Sequence, residues 1–253
     1  MSENGAITVE IKNNIGTIEF HHPKGNSLPG DLLRELASKI TEVGKNSNAH
    51  VLVLKSKGDG AFCGGASFDE LVAIDNVEEG KRFFMGFAVV LNAMRTCPKL
   101  IIVKVQGKAV GGAVGVAAAG DYVFAHESAS VKLSELALGI GPFVVGPAVQ
   151  RKIGSSAFST LAIDAKSWYS AEWAREKGLF SKVLNTHEEL DRSVDELAHN
   201  LANSSPTAMK ELKTVLWKST DHWDSQLEQR AEISGKLVLS DYTKDFIAEF
   251  KSK

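Results

Sequence analysis

The sequence predicts an α/β fold with a helical C-terminal region. Three observations carry this. Compact stretches rich in β-branched residues alternate with segments of helical spacing as far as Ser170. From Ser170 onward the spacing is helical almost throughout. The 253 residues, 43% of them hydrophobic, suffice to bury one sizeable core, so a single α/β body with a helical tail fits.

The elements follow in order. Ile7 to Ile11 and Gly16 to Phe20 flank the turn Lys12-Asn13-Asn14-Ile15, whose asparagines tolerate tight turns, and read as an opening β-hairpin. After the polar loop His21 to Ser27, Leu32, Leu33, Leu36 and Ile40 recur at helical spacing before the apolar run Val51 to Leu54. A glycine-rich loop, Gly58 to Gly65, leads through Phe68 and Leu71 to a long helix with Phe83, Phe84, Phe87, Val90, Leu91 and Met94 on its apolar face, ending before Pro98. Leu100 to Val105 is a strand, followed by the small-residue segment that ends at Asp121. Tyr122 to Ala125 is another strand, Ser130 to Leu133 a short extended piece, and Pro147 suits the first turn of a further helix. Helices are then expected over Ala171 to Lys177, closed by Gly178, and over Glu188 to Asn203, Thr207 to Ser219 and Asp224 to Ser240.

Composition excludes several function classes. With 29 basic against 31 acidic residues and no long run of either sign, no nucleic-acid footprint is expected. Cys63 and Cys97 lie far apart outside any CxxC pattern, which suggests neither zinc nor a disulfide framework, and makes a reducing, cytoplasmic compartment the default. The opening MSENGAITVEIKNN has no basic leader or apolar core of signal-peptide length. The run Ala109 to Gly120 is too short for a bilayer, so a soluble protein without membrane contact is expected. His21 and His22, adjacent on a strand, point to opposite faces and find no third ligand at suitable spacing, so no metal is expected.

Two glycine clusters are the most informative features: Ala61-Phe62-Cys63-Gly64-Gly65-Ala66 and Val110-Gly111-Gly112-Ala113. Each stands beside an apolar strand and leads toward a helix. Glycine lets backbone approach a ligand, and the N–H groups that open a helix are unpaired and lie at its positive dipole end, which suits an oxyanion. Taken alone, either cluster is more often a tight turn or close helix packing. No GxGxxG, phosphate-loop, GxSxG or HExxH pattern is present.

Ala61-Phe62-Cys63-Gly64-Gly65-Ala66-Ser67 resembles the A-F-S/C-A-G-A-D segment of the enoyl-CoA hydratase/isomerase (crotonase) superfamily. Gly107-Lys108-Ala109-Val110-Gly111-Gly112-Ala113 is similar to that family's second signature. Pro23 to Leu28, Asp121, Ala171 through Leu179, and Ser205-Pro206-Thr207-Ala208 followed by Lys213 extend the resemblance over nearly the whole chain. It implies a crotonase-like (ClpP/crotonase) spiral of ββα units over residues 1–195 and a helical trimerisation region over residues 196–253. It also implies assembly as a homotrimer or dimer of trimers, and an acyl-CoA thioester substrate. Coenzyme A would then enter as part of the substrate, with no separate cofactor.

The resemblance further implies an oxyanion hole made by the amides of Gly64 and Gly112, and coenzyme A contacts from Lys24, Gly64, Gly65, Ala66, Ser67 and Lys213. In other enzymes each oxyanion donor is worth roughly 2.7–4 kcal/mol in the transition state. Of the two glutamates that the family's hydratases use, the first position falls on Gly115 and only the second, Glu135, is present. Apolar neighbours would raise its pKa toward working pH. One carboxylate suffices to shift a double bond from Δ3 to Δ2, and Leu138 to Phe143 resembles the corresponding loop of some isomerases. Hydration of a 2-enoyl-CoA, with Glu135 alone or helped by Asp69 or Glu70, is the nearest rival. A non-catalytic acyl-CoA-binding protein is the alternative of another class. Phe68, Leu71, Phe87, Phe143 and Val144 border an acyl pocket or belong to ordinary core.

Overall fold

The computed structural model describes residues 5–251; Met1 to Asn4, which belong to the opening stretch read for a leader, lie outside them. The expected hairpin forms as β1 (Ala6–Lys12) and β2 (Ile15–His21), with Asn13 and Asn14 both at positive φ in its turn. Helix α1 (Gly30–Lys45) presents Leu32, Leu33, Leu36 and Ile40 inward and leads to β3 (Val51–Ser56). The short α2 (Phe68–Val72) is capped by Ser67 and the long α3 (Val77–Thr96) by Asn76, each accepting the backbone N–H three residues on.

Then come β4 (Ile101–Val105), the two-residue β5 (Ala109–Val110), α4 (Gly112–Ala119), β6 (Tyr122–His126) and β7 (Ser130–Lys132). A single 3-10 turn, Leu136–Leu138, separates β7 from α5 (Gly146–Ile163). The rest comprises β8 (Tyr169–Ser170), α6 (Ala171–Glu176), β9 (Lys182–Leu184), α7 (His187–Ala202), α8 (Pro206–Leu216), α9 (Trp223–Leu237) and α10 (Asp241–Lys251).

Six strands form one sheet in the order β1-β2-β3-β4-β6-β9, parallel except for the opening hairpin. A second sheet runs β5-β7-β8. The chain therefore places a strand in the large sheet, then one in the small sheet or a helix, and climbs one step at each return. Val51 to Leu54 is buried on both faces, as an unbroken apolar run in a parallel sheet requires. On one face Val51, Val53, Ile102 and Phe124 meet Leu190, Val194 and Ala198 of α7, and the opposite face joins the main core with α1, α3 and α4.

The partition expected between residues 1–195 and 196–253 falls inside α7. That helix buries Leu190, Val194, Ala198 and Ala202 as one continuous stripe, so the chain does not divide there. The tail also packs against the body through α8 and α9. Gly80 of α3 meets Gly235 of α9 so closely that a Cβ on Gly80 would lie 2.7 Å from the Gly235 Cα. Lys213 of α8 pairs with Asp121 at 2.6 Å, with both side chains almost fully buried.

Asp121 is saturated there. One carboxylate oxygen accepts the Ile101 N–H at 2.7 Å as well as the Lys213 ammonium, and the other accepts the Trp217 indole N–H at 2.8 Å. Removing one partner of a buried pair leaves the other charge uncompensated. Lys213→Met is expected to lower the unfolding free energy by about 3 kcal/mol, read from urea denaturation at neutral pH.

Candidate active site

Backbone hydrogen bonds sew three loops together in order. Cys63 N–H donates to the Lys108 carbonyl at 3.1 Å and Val110 N–H returns to the Cys63 carbonyl at 3.1 Å, which sets the two glycine clusters side by side. Gly111 N–H then donates to the Lys132 carbonyl at 2.8 Å, which brings in the end of β7 and the Ser134-Glu135 segment behind it. The loop before α1 is tied to the first cluster by Leu28 N–H on the Gly65 carbonyl at 2.8 Å.

Between these loops, α3, α9 and the segment after the 3-10 turn lies a cavity of about 190 Å³. Gly64, Gly65, Ala66, Ser67, Gly112 and Glu135 all line it, so the structure brings together most of the residues singled out in the sequence. Phe68, Leu71, Phe87, Phe143 and Val144, left open between pocket and core, line it too. Phe83, Phe84, Leu138, Ile140, Val145, Ser134 and Ser234 complete the walls without having been foreseen as lining. Only helical periodicity could have drawn attention to Phe83 and Phe84, and nothing local distinguishes Ser234, which reaches the cavity through the close crossing of α3 and α9.

The expected donor pair needs one correction. Gly64 N–H already donates to the Gly25 carbonyl at 3.0 Å, so it is not available to an oxyanion. Gly65 N–H faces the Cys63 sulfur at 3.4 Å. The next amide, Ala66, meets no acceptor among the described residues. Gly112, the first residue of α4, likewise has no intrahelical acceptor for its N–H, and it stands at the positive end of the helix dipole. The free pair facing the cavity is therefore Ala66 and Gly112.

Side chains are excluded at this point of the backbone. Gly111 has φ 55° and ψ −119°, a conformation that suits glycine, and a Cβ there would come within 3.0 Å of Glu135 Oε1. At Gly112 a Cβ would strike the Phe87 ring at 2.3 Å, and at Gly115 it would strike Val145 Cγ1 at 2.7 Å. Where the resemblance places a hydratase's first glutamate, this protein has packed Val145 into the space.

Glu135 is half-buried as a residue, but its Oε2 is sealed from solvent and has no hydrogen-bond partner. Burial raises its pKa from 4.5 to about 7, with its own backbone N–H opposing the rise. Asp69 and Glu70, the candidate auxiliary acids, are engaged elsewhere: Asp69 pairs with Lys24 at the surface, and Glu70 accepts the Gly30 N–H at 2.9 Å. Ser67 spends its hydroxyl on the Glu70 N–H as the α2 cap. Lys24 does not line the cavity. Its side chain is about as exposed as that of Asp69, so water screens the pair and it contributes little to stability.

Lys213, expected to meet a coenzyme A phosphate, is a second correction. It is outside the cavity and 3% exposed, and its charge is spent on Asp121. Among the described residues no cluster of His, Cys, Asp and Glu could hold a metal ion, and no helix is long and apolar enough to cross a membrane. His21 and His22 are occupied locally: both contact Asn26, His21 through its ring and His22 through its backbone N–H.

Known proteins share this architecture. The short-chain-enoyl-CoA hydratase of Clostridium acetobutylicum is 26% identical over 250 residues, covering 98% of this chain and 95% of that protein. The peroxisomal Delta(3,5)-Delta(2,4)-dienoyl-CoA isomerase of Arabidopsis thaliana is 26% identical over 232 residues, covering 85% and 82%. The crystal structure of an enoyl-CoA hydratase from Bacillus halodurans superposes with a TM-score of 0.88 at 22% identity, over 96% of this chain and 99% of that one, which shows the crotonase-like fold. The family model described as enoyl-CoA hydratase/isomerase matches residues 10–253, and the chain, with its paired glycine loops around a buried carboxylate, belongs to that family.

Proposed function

We propose that this enzyme of acyl-CoA thioesters is a Δ3-Δ2 enoyl-CoA isomerase. The thioester oxygen would lie between the Ala66 and Gly112 amides, with the acyl chain in the aromatic cavity and Glu135 over the α-carbon. The carboxylate takes a proton from C2, and the electron pair moves into an enolate whose oxygen the two amides hold. The resulting carboxylic acid gives the proton back at C4 while the double bond settles between C2 and C3. Because the amides are fixed by the folded loops, they meet the developing charge without reorganisation.

One observation carries the choice of isomerisation over hydration: Val145 fills the space beside Gly115, leaving Glu135 the only ionisable side chain in the cavity wall among the described residues. Hydration needs water delivered and a proton returned at the same time, and Asp69 and Glu70 are tied up outside the cavity. A lone base whose Oε2 has no partner is suited to serve two carbons in turn. Lys24, exposed beside the first glycine loop, remains the lysine proposed to contact coenzyme A.

The wild-type enzyme is expected to convert 3-enoyl-CoA to 2-enoyl-CoA and to leave crotonyl-CoA unhydrated, followed by absorbance of the conjugated thioester. Rapid hydration with no isomerisation would overturn the reading. Glu135→Gln is expected to lower kcat by about 100- to 10,000-fold with acyl-CoA binding retained. In the wild type, kcat/KM should rise with pH through about 7, since the base must be ionised. The same shift acts on stability. The cost of burying the ionised carboxylate is absent below pH 4.5, where it is protonated folded or unfolded, and is fully present above about 7. Glu135→Gln should therefore melt higher than wild type above pH 7 and equally at low pH.

Assembly as a homotrimer or a dimer of trimers belongs to the same proposal. Leu212, Val215 and Leu216 stand exposed on α8, an apolar group that a neighbouring copy would cover. Light scattering should give the mass of three or six chains, and Val215→Glu should shift it toward the single chain.

A further inference from the structure

We propose that the cavity selects uncharged hydrocarbon acyl chains and rejects chains that carry a second carboxylate. This rests on the acyl-CoA reading but not on which reaction follows. Five phenylalanines, Phe68, Phe83, Phe84, Phe87 and Phe143, dominate the wall, and the remaining apolar surface is aliphatic. Among the described residues no Lys, Arg or His lines it. Its hydroxyls are already in use in part: Ser67 caps α2, and Ser234 donates to the Arg230 carbonyl at 3.2 Å.

Arg230 donates to the Phe143 carbonyl oxygen at 3.2 Å, and Lys81, two residues before Phe83, pairs with Glu228 at 2.7 Å, so both cations have partners outside the lining. Among the described residues the one ionisable group lining the cavity is the Glu135 carboxylate, which, when ionised, repels another of the same sign. A distal carboxylate would thus lose its hydration and gain no partner, a cost that a terminal methyl group does not incur.

Calorimetric titration with hexanoyl-CoA and adipoyl-CoA, saturated esters of equal chain length, isolates this effect because neither can isomerise or be hydrated. Hexanoyl-CoA is expected to bind on the order of 100-fold tighter. In Phe83→Lys, where the half-exposed ring is replaced by a cation, the ratio should fall by at least about tenfold. A wild-type ratio under about tenfold overturns the proposal whatever the variant does. Failure of both esters to bind overturns it together with the acyl-CoA reading. If the ratio holds while 3-enoyl-CoA is not isomerised, the reaction assignment fails and the selectivity stands.

Discussion

Bare backbone is the constraint on which the site depends. At Gly111, Gly112 and Gly115 the space that a Cβ would need is occupied by Glu135, the Phe87 ring and Val145 respectively. A methyl group at any of the three would displace the base, the cavity wall or the packing beneath α4. Because nothing projects from the backbone, the helix can present its first amide directly to a ligand, and the carboxylate can lie against the main chain without a covering side chain.

The same closeness accounts for the electrostatics. The cavity is walled by aromatic and aliphatic groups, so burial disfavours the charged form of Glu135 and its affinity for a proton rises accordingly. Asp121, by contrast, is a buried carboxylate with donors on both oxygens. The contrast between a saturated structural carboxylate and an unsatisfied one in the cavity separates scaffold from chemistry.

Much of this was legible in the sequence. The hairpin with its two asparagines, the apolar run Val51 to Leu54 and the two glycine loops follow from local propensity and spacing, and Glu135 followed from its motif context. Other features depend on contacts made far along the chain. The three-residue β9 carries too few residues to show a period, yet it completes the large sheet beside β6. The choice of Ala66 over Gly64 turns on a hydrogen bond to Gly25, a partner that no spacing rule singles out. Lys213 resembles a phosphate ligand in sequence because its partner, Asp121, is remote and meets it only after α8 has packed. The boundary at residue 195, which the resemblance implied, falls within α7, whose buried stripe continues across it.

The loop that carries Glu135 ends at Gly139, at φ 80°, and Tyr242 and Thr243 of α10 press on that glycine: a Cβ there would lie 2.6 Å from the Tyr242 ring and 2.8 Å from the Thr243 hydroxyl. Thr243 is wholly buried and bonded to the Leu237 carbonyl at 3.2 Å. The seat of Glu135 is thus completed by α10, a segment far along the sequence from the glycine loops. Loosening α10 is therefore expected to disturb the setting of this carboxylate while the two glycine loops, bonded to each other, keep their places.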